Sequence, residues 1–392
     1  MIRVLFDDVF FAMGSSGVAR YWESVLKIWN ESTILQDHEI EFMVLNRSGV
    51  LEDLGFRLVD FGRHRRKGAD FRAAERAVIS AMCEDLKIDV FISSYYTWVL
   101  GPKNLLPVYD LIPEMFDFPS TDRDWIERKF APVAADSFIA ISESTRRDLI
   151  TCHPHIKPED VSLARPGIDH DVFSRPSDDH IEAFLRGQSI SEPYLLIPGT
   201  RYGGATEYKN SRIVFETLAA NAHLGLDVIV TGGELLSDGE VSALARAGRR
   251  IMRLELTDAE LSCAYAAAKV VVYPSLYEGF GMAPLEALAV GTPVVTTNTS
   301  SLPEAVGDLS LFFDGVSSKD LMDQIELSLT PAHVGRIRKD GPSWAKNFIW
   351  TSTAEAIARA IRNCHDAPQI AHREAMVSAL REYNKKSIEL QS

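Results

Sequence analysis

Val270-Val-Val-Tyr273-Pro-Ser-Leu-Tyr-Glu278-Gly-Phe-Gly-Met-Ala-Pro-Leu-Glu286-Ala-Leu-Ala289 is the stretch from which the rest of the chain is read. Val270 to Tyr273 is an unbroken apolar run of strand length. Gly279 and Gly281 permit the sharp turn that follows, and Pro284 suits the first position of a helix. Strand, glycine loop and helix start therefore come in that order. Such a turn brings unpaired backbone N–H groups and the positive end of a helix dipole to one point, which suits a phosphate or diphosphate. Glu278 lies before that anion site and Glu286 just inside the helix. A ligand matching this layout has a diphosphate in the middle and hydroxyl-bearing groups at both ends, as a nucleotide-diphosphate sugar does.

Outward from this stretch, short apolar runs alternate with helical patterns. Arg3 to Asp7, Ile40 to Leu45, Val90 to Ser93, Leu106 to Tyr109 and Ser137 to Ile141 read as strands of one sheet, with helices over Val18 to Trp29 and Ala69 to Leu86. Tyr194 to Ile197, Leu226 to Val230, Val270 to Tyr273, Pro293 to Thr296 and Leu309 to Phe313 read as strands of a second. Strands alternating with helices predict parallel, doubly wound sheets of Rossmann-like type. A chain of 392 residues suits two such domains. The polar stretch Ser174 to Glu192, with Pro176, reads as their boundary, giving a first domain 1–185, a second 186–364 and a C-terminal segment 365–392.

Further signals sit at strand ends. Gly14-Ser-Ser-Gly17-Val-Ala-Arg20-Tyr21 places a flexible loop at a helix start. Its G-x-x-G lacks the spacing and third glycine of the dinucleotide fingerprint, which argues against a nicotinamide enzyme. Val108-Tyr-Asp110-Leu-Ile-Pro-Glu114 follows a strand, where open parallel sheets place functional groups. Asp110 reads either as a group orienting an acceptor hydroxyl or as a helix cap. Ser142, in Ile141-Ser-Glu-Ser-Thr145, reads as an N-cap or as a ligand contact. Arg63-His-Arg-Arg-Lys67, with Arg72 and Arg76, is a basic cluster in an acidic chain. It suits a solvated loop, or an anionic lipid or diphosphate-bearing acceptor.

These motifs together resemble the retaining glycosyltransferases of family 4, whose Glu-x7-Glu element Glu278 and Glu286 match. The resemblance runs from Ser16-Gly-Val-Ala-Arg-Tyr21 through Trp350-Thr-Ser-Thr-Ala354. It implies a GT-B fold, α/β, with two doubly wound domains facing a cleft and a last helix crossing back to the first domain, here expected within 365–392. It implies that Glu278 contacts hydroxyls of the donor sugar, Glu286 the ribose, and the backbone of Gly279, Phe280, Gly281 and Met282 the diphosphate. Arg201 and Lys209 would neutralise that diphosphate without a metal, Gly232 would line the nucleotide side, and backbone near Leu254 to Leu256 would meet the base. Gly17 would approach the diphosphate and the acceptor. Many relatives have His-Asp where Tyr109-Asp110 stands, and tyrosine, with an ordinary pKa near 10, does not replace histidine as a neutral-pH base. Tyr109-Asp-Leu-Ile-Pro113 with Gly17-Val-Ala-Arg-Tyr21 is most similar to polysaccharide and O-antigen mannosyltransferases, which favours a GDP-sugar such as GDP-mannose.

Composition fits this. Hydrophobic residues at 46% and charged ones at 24% describe a globular chain. A formal charge of −14 argues against nucleic acid as a partner. Cys83, Cys152, Cys263 and Cys364 have no metal-ligand spacing and read as reduced thiols. The absence of signal-peptide regions and of a spanning apolar run leads us to expect a cytoplasmic protein, with peripheral contact at the inner membrane. The expected partners are a nucleotide-diphosphate sugar and a glycan or lipid-linked saccharide acceptor, with no cofactor and no metal. The competing readings are a non-hydrolysing sugar-nucleotide epimerase, a non-catalytic nucleotide-sugar-binding protein, and a phosphorylase, which would need a lysine for pyridoxal phosphate in a much longer chain.

Overall fold

A computed structural model describes residues 1–14, 17–61, 69–116, 123–201 and 207–368. The chain forms two compact units, Met1–Gly167 with Trp350–Ser392, and Ile168–Ile349. In the first, β1 (Ile2–Asp7), β2 (Ile40–Asn46), β3 (Arg57–Asp60), β4 (Val90–Ser93), β5 (Lys103–Val108), β6 (Ser137–Ala140) and β7 (Val161–Leu163) form one sheet. Its order is β3-β2-β1-β4-β5-β6-β7, and every pairing is parallel. In the second, β8 (Tyr194–Pro198), β9 (Asp227–Thr231), β10 (Ile251–Leu254), β11 (Val270–Tyr273), β12 (Val294–Thr297) and β13 (Leu311–Phe313) form a parallel sheet of order β10-β9-β8-β11-β12-β13. The central strands are buried on both faces, which is why they read as continuous apolar runs.

Three strands escaped the sequence reading: β3, β7 and β10. Each lies at a sheet edge, where one side of the strand has no neighbour among the described residues, and each is partly exposed. Arg57-Leu-Val-Asp60 and Ile251-Met-Arg-Leu254 accordingly carry charged residues and show no long apolar run.

The unit boundary falls at Gly167 and Ile168, earlier than the expected 185. Part of the polar stretch read as a boundary is the helix Asp178–Gly187, capped by Ser177 and burying Ile181 and Phe184. It packs on the helix Asp258–Ala267 of the second unit. The returning helix also starts earlier than 365. It is Trp350–Asp366, whose Thr353, Ala354, Ile357, Ala358, Ile361 and Cys364 recur at three- and four-residue spacing and are buried. It packs on the helix Gly17–Glu31 within the first unit: Trp29 Nε1 donates to Ala354 O at 3.1 Å, and the Tyr21 ring meets Trp350 edge-on. Residues 369–392 lie outside the described residues.

The helix Met282–Ala289, which carries Glu286, packs on the helix Pro331–Ala345. Their approach is so close that a Cβ on Gly341 would stand 2.5 Å from Leu288 O. That oxygen belongs to helix backbone and has no rotamer by which to move aside. Gly341→Ala is therefore expected to destabilise the second unit by about 1–3 kcal/mol, read as a lowered denaturation midpoint. An unchanged midpoint would show that the two helices separate at no cost.

Candidate active site

In the second unit the site is assembled at the carboxyl ends of β8, β9, β11 and β12. The chain leaves β11 at Tyr273 and is held on one side by the turn before the helix Ser211–Ala220. Leu276 N donates to Tyr208 O at 2.8 Å, and Asn210 Nδ2 donates to Pro274 O and Gly315 O at 3.3 and 2.8 Å. Asn210 itself has φ +54°, a left-handed conformation that asparagine tolerates well. These bonds place Lys209 beside Glu278.

On the other side, hydroxyls from β12 and the turn after it hold successive carbonyls of the same loop. Thr296 Oγ1 donates to Tyr273 O (2.7 Å) and Thr297 Oγ1 to Ser275 O (2.5 Å). Ser301 Oγ lies 2.7 Å from Glu278 O and 2.9 Å from Phe280 O. Ser300 Oγ accepts from Glu278 N at 2.9 Å. Gly281 then turns with φ +107°, and a Cβ there would meet Leu302 Cδ2 at 2.9 Å, so glycine is required. Gly281 caps the helix Met282–Ala289, and Pro284 stands third in it rather than first, still within the turn that needs no intrahelical N–H donor.

At the centre, Glu278 Oε1 accepts from Lys209 Nζ at 2.6 Å and from Tyr273 Oη at 2.8 Å. The two charged side chains are only 15% and 12% exposed. Burial works most strongly against the Lys209 ammonium, but the charge and hydrogen bond of Glu278 together with Tyr273 and Tyr208 outweigh it, and the lysine pKa is raised. Burial also raises the Tyr273 pKa, so its hydroxyl remains a donor at neutral pH. Among the described residues Glu278 Oε2 accepts no hydrogen bond, and Lys209 Nζ makes no second one. The pair thus presents one unused acceptor oxygen and two unused N–H donors.

Glu286 is 3% exposed, with Oε2 accepting from Tyr265 Oη at 3.2 Å. Gly232, at the end of β9, has φ +62° and donates to Leu254 O at 2.9 Å. That bond occupies a carbonyl of the segment expected at the base. Phe280 is buried against the Phe348 ring.

Arg201 is anchored by protein groups. Its side chain is fully buried, with Nε donating to Glu240 Oε1 (3.1 Å) and Nη2 to the carbonyls of Glu234 (2.6 Å) and Leu235 (3.0 Å). Glu240 in turn closes the capping box of the helix Asp238–Arg246 through Ser237. These contacts fasten the ends of β8 and β9 together through Nε and Nη2. Tyr202 to Thr206, the insertion between Arg201 and Lys209, lies outside the described residues.

In the first unit, Asp110 does cap: Oδ1 accepts from Ile112 N at 3.0 Å. It also accepts from Arg128 Nη2 at 2.8 Å, the guanidinium lying over the Tyr96 ring. Oδ2 accepts no hydrogen bond among the described residues. Tyr109 is buried in a polar chain, accepting from Trp22 Nε1 (2.6 Å) and donating to Ser94 O (2.7 Å). Ser142 is the buried N-cap of the helix Glu143–Cys152, accepting from Thr145 N. Gly17 opens its helix and is exposed; Ser15 and Ser16 lie outside the described residues, as do Arg63 to Lys67 and the side chain of Arg72. Arg76 stacks on Trp98.

The sequence reading missed a buried network at the end of β1. Arg47 grips both oxygens of Asp7 (2.5 and 3.0 Å) and reaches Glu75 (2.9 Å), while Thr97 Oγ1 also donates to Asp7 (2.7 Å). Asp8 accepts from Arg47 N and from Ser48 Oγ, and burial raises its pKa despite these bonds. Two acids closing an apolar strand, Phe6-Asp7-Asp8, with an arginine after the next strand were the available signal. Among the described residues no cluster of three or more His, Cys, Asp or Glu side chains is arranged to hold a metal, and no helix is long and apolar enough to cross a membrane.

The two sheets are the GT-B fold of solved glycosyltransferases: Anabaena HepE, in a crystal structure with UDP-glucose, matches 93% of this chain and 100% of its own at TM-score 0.72 and 16% identity. Residues 214–333 match the family Glycosyl transferases group 1, and the chain carries that family's domain. The O-antigen chain mannosyltransferase B of Escherichia coli is 40% identical over 226 residues, 55% of this chain and 58% of that protein. The alpha-maltose-1-phosphate synthase of Mycolicibacterium smegmatis is 32% identical over 193 residues, 47% and 49% of the two chains. The chain spans about half the length of the curated relatives it matches.

The burial of Arg201 yields a test. Removing one partner of a buried ion pair leaves the other charged and unpaired, at a cost of about 3–5 kcal/mol. Arg201→Met should lower stability in chemical denaturation by that order and leave nucleoside-diphosphate affinity of the folded protein unchanged. Lost affinity at full stability would return Arg201 to the ligand.

Proposed function

We propose that this protein is a retaining glycosyltransferase, a hexosyltransferase that moves a sugar from a nucleotide-diphosphate donor to a hydroxyl of a growing bacterial surface glycan or lipid-linked acceptor. The observation that carries the reading is the Lys209–Glu278 pair at 2.6 Å, immediately before the glycine turn and helix start at Gly281. The leaving nucleoside diphosphate gains negative charge in the transition state, and preplaced donors there lower the barrier. Lys209 has two N–H groups to offer it, and the backbone of Gly279 to Met282 supplies further ones, so the reaction needs no metal. Glu278 Oε2 is an acceptor for the hydroxyls of the transferred sugar. Glu286, Gly232 and the end of β10 serve the nucleoside. In the first unit Asp110, through Oδ2, and the helix start at Gly17 serve the acceptor.

The similarity to an O-antigen mannosyltransferase supports GDP-mannose or a related GDP-sugar as donor. In this reading the protein works in the cytoplasm, at the cytoplasmic face of the membrane when the acceptor is lipid-linked.

A thermal-shift panel of nucleoside diphosphates and their sugars tests the donor. A ligand at 100 times its dissociation constant stabilises by about 2.7 kcal/mol. GDP and GDP-mannose are expected to raise the melting temperature more than their uridine counterparts do. A panel in which no nucleotide acts would refute the donor reading.

Turnover with the donor so found should persist in excess chelator, and the product's anomeric signal by NMR should show the donor's configuration. Activity lost to chelator and restored by magnesium or manganese would overturn the metal-free account, and an inverted anomer the retaining one.

A further inference from the structure

The Lys209–Glu278 pair sets a problem for any anion that approaches it. Each charge largely cancels the other, and a diphosphate drawn to Lys209 also meets the Glu278 carboxylate. Lysine holds its partner as a point charge through a single hydrogen bond, so it exchanges partners more readily than an arginine fork. Glu278 has a second donor to fall back on, because Tyr273 Oη already binds the same Oε1 at 2.8 Å. Oε2 is left for a ligand hydroxyl, which donates to a carboxylate and compensates its charge.

Resting on the donor site described above, we propose that Lys209 and Glu278 form an exchange pair that makes the protein bind the complete nucleotide sugar better than its nucleoside-diphosphate product. Sugar hydroxyls on Glu278, together with Tyr273, take over the neutralisation of the carboxylate and release Lys209 to the diphosphate. When the sugar has been transferred those hydroxyls leave, Glu278 reclaims Lys209, and the hold on the diphosphate weakens. Sugar and diphosphate are thus coupled through one ion pair, and the coupling assists product release. While paired, Lys209 keeps its proton, since its pKa is raised there.

Calorimetry with GDP and UDP tests this on the full chain. Glu278→Gln keeps the shape of the side chain and removes the charge that competes for Lys209. It should bind the preferred nucleoside diphosphate about fivefold tighter or more than the wild type, the lower end of ordinary coupling between sites. Its preference for nucleotide sugar over nucleoside diphosphate should shrink by a similar factor. In a Lys209→Met background the same Glu278→Gln change should alter affinity less than twofold, and a gain as large as in the wild type would mean that general electrostatics, not Lys209, is responsible, which overturns the proposal. Melting temperatures of all variants identify any that has lost its fold, and Glu278→Ala replaces Glu278→Gln in that event. Wild-type binding with equal or weaker binding by the Glu278 variant sinks the exchange pair alone. Absence of binding by both proteins, with either nucleotide, sinks the donor reading and the exchange pair together.

Discussion

The turn carrying Glu278 is held by hydroxyls from the neighbouring strand edge, and the rest of the site follows from that hold. Thr296, Thr297, Ser300 and Ser301 engage backbone groups of Tyr273, Ser275, Glu278 and Phe280. Ordering each loop residue costs about 1–2 kcal/mol of conformational entropy, and each net hydrogen bond returns about 0.5–1.5 kcal/mol. A loop bonded at nearly every second residue can therefore stay fixed without forming a strand or helix. The same turn needs Gly281 at φ +107° with Leu302 packed beneath it, so the helix start is aimed by packing as well as by hydrogen bonds.

Three of the carboxylates inside the two units, Asp7, Glu240 and Glu278, are paired with cations, and the kind of cation differs. Arg47 on Asp7 and Arg201 on Glu240 each hold several partners at once, one of them with both oxygens gripped by the guanidinium fork. Such forks are suited to locking strand ends together. Among the described residues Lys209 has one hydrogen bond and two aromatic neighbours, Tyr208 and Tyr273. An ammonium so placed is charged, enclosed and able to change partner, which is what a site for a ligand diphosphate requires.

The first unit shows how a departure from a family pattern is absorbed. Tyr109 does not act where a histidine would; its hydroxyl joins Trp22 to Ser94 inside the core. At that place Asp110 is a carboxylate at the end of β5, and Arg128 Nη2 holds its Oδ1 at 2.8 Å. The acceptor side of the proposed reaction therefore rests on a residue that also caps a helix, and the two readings of Asp110 are compatible because they use different oxygens.

The sequence alone determined the two parallel sheets, because strands buried on both faces must be continuous apolar runs and Gly, Pro and cap residues mark the turns between them. It also singled out Glu278 and Glu286, since a glycine turn at a helix start fixes where an anion can sit, while Lys209 came from the family resemblance. Edge strands were hidden, since a half-exposed strand such as Arg57–Asp60 has no apolar run to display. Tertiary structure decided which charges are spent on the fold: nothing local in Gly199-Thr-Arg201 tells that Glu240, thirty-nine residues away, claims the guanidinium. It also decided that Tyr273 and Lys209 share one oxygen of Glu278. Partners in a long-range ion pair are chosen by strand order and burial, and neither is written in the residues beside them.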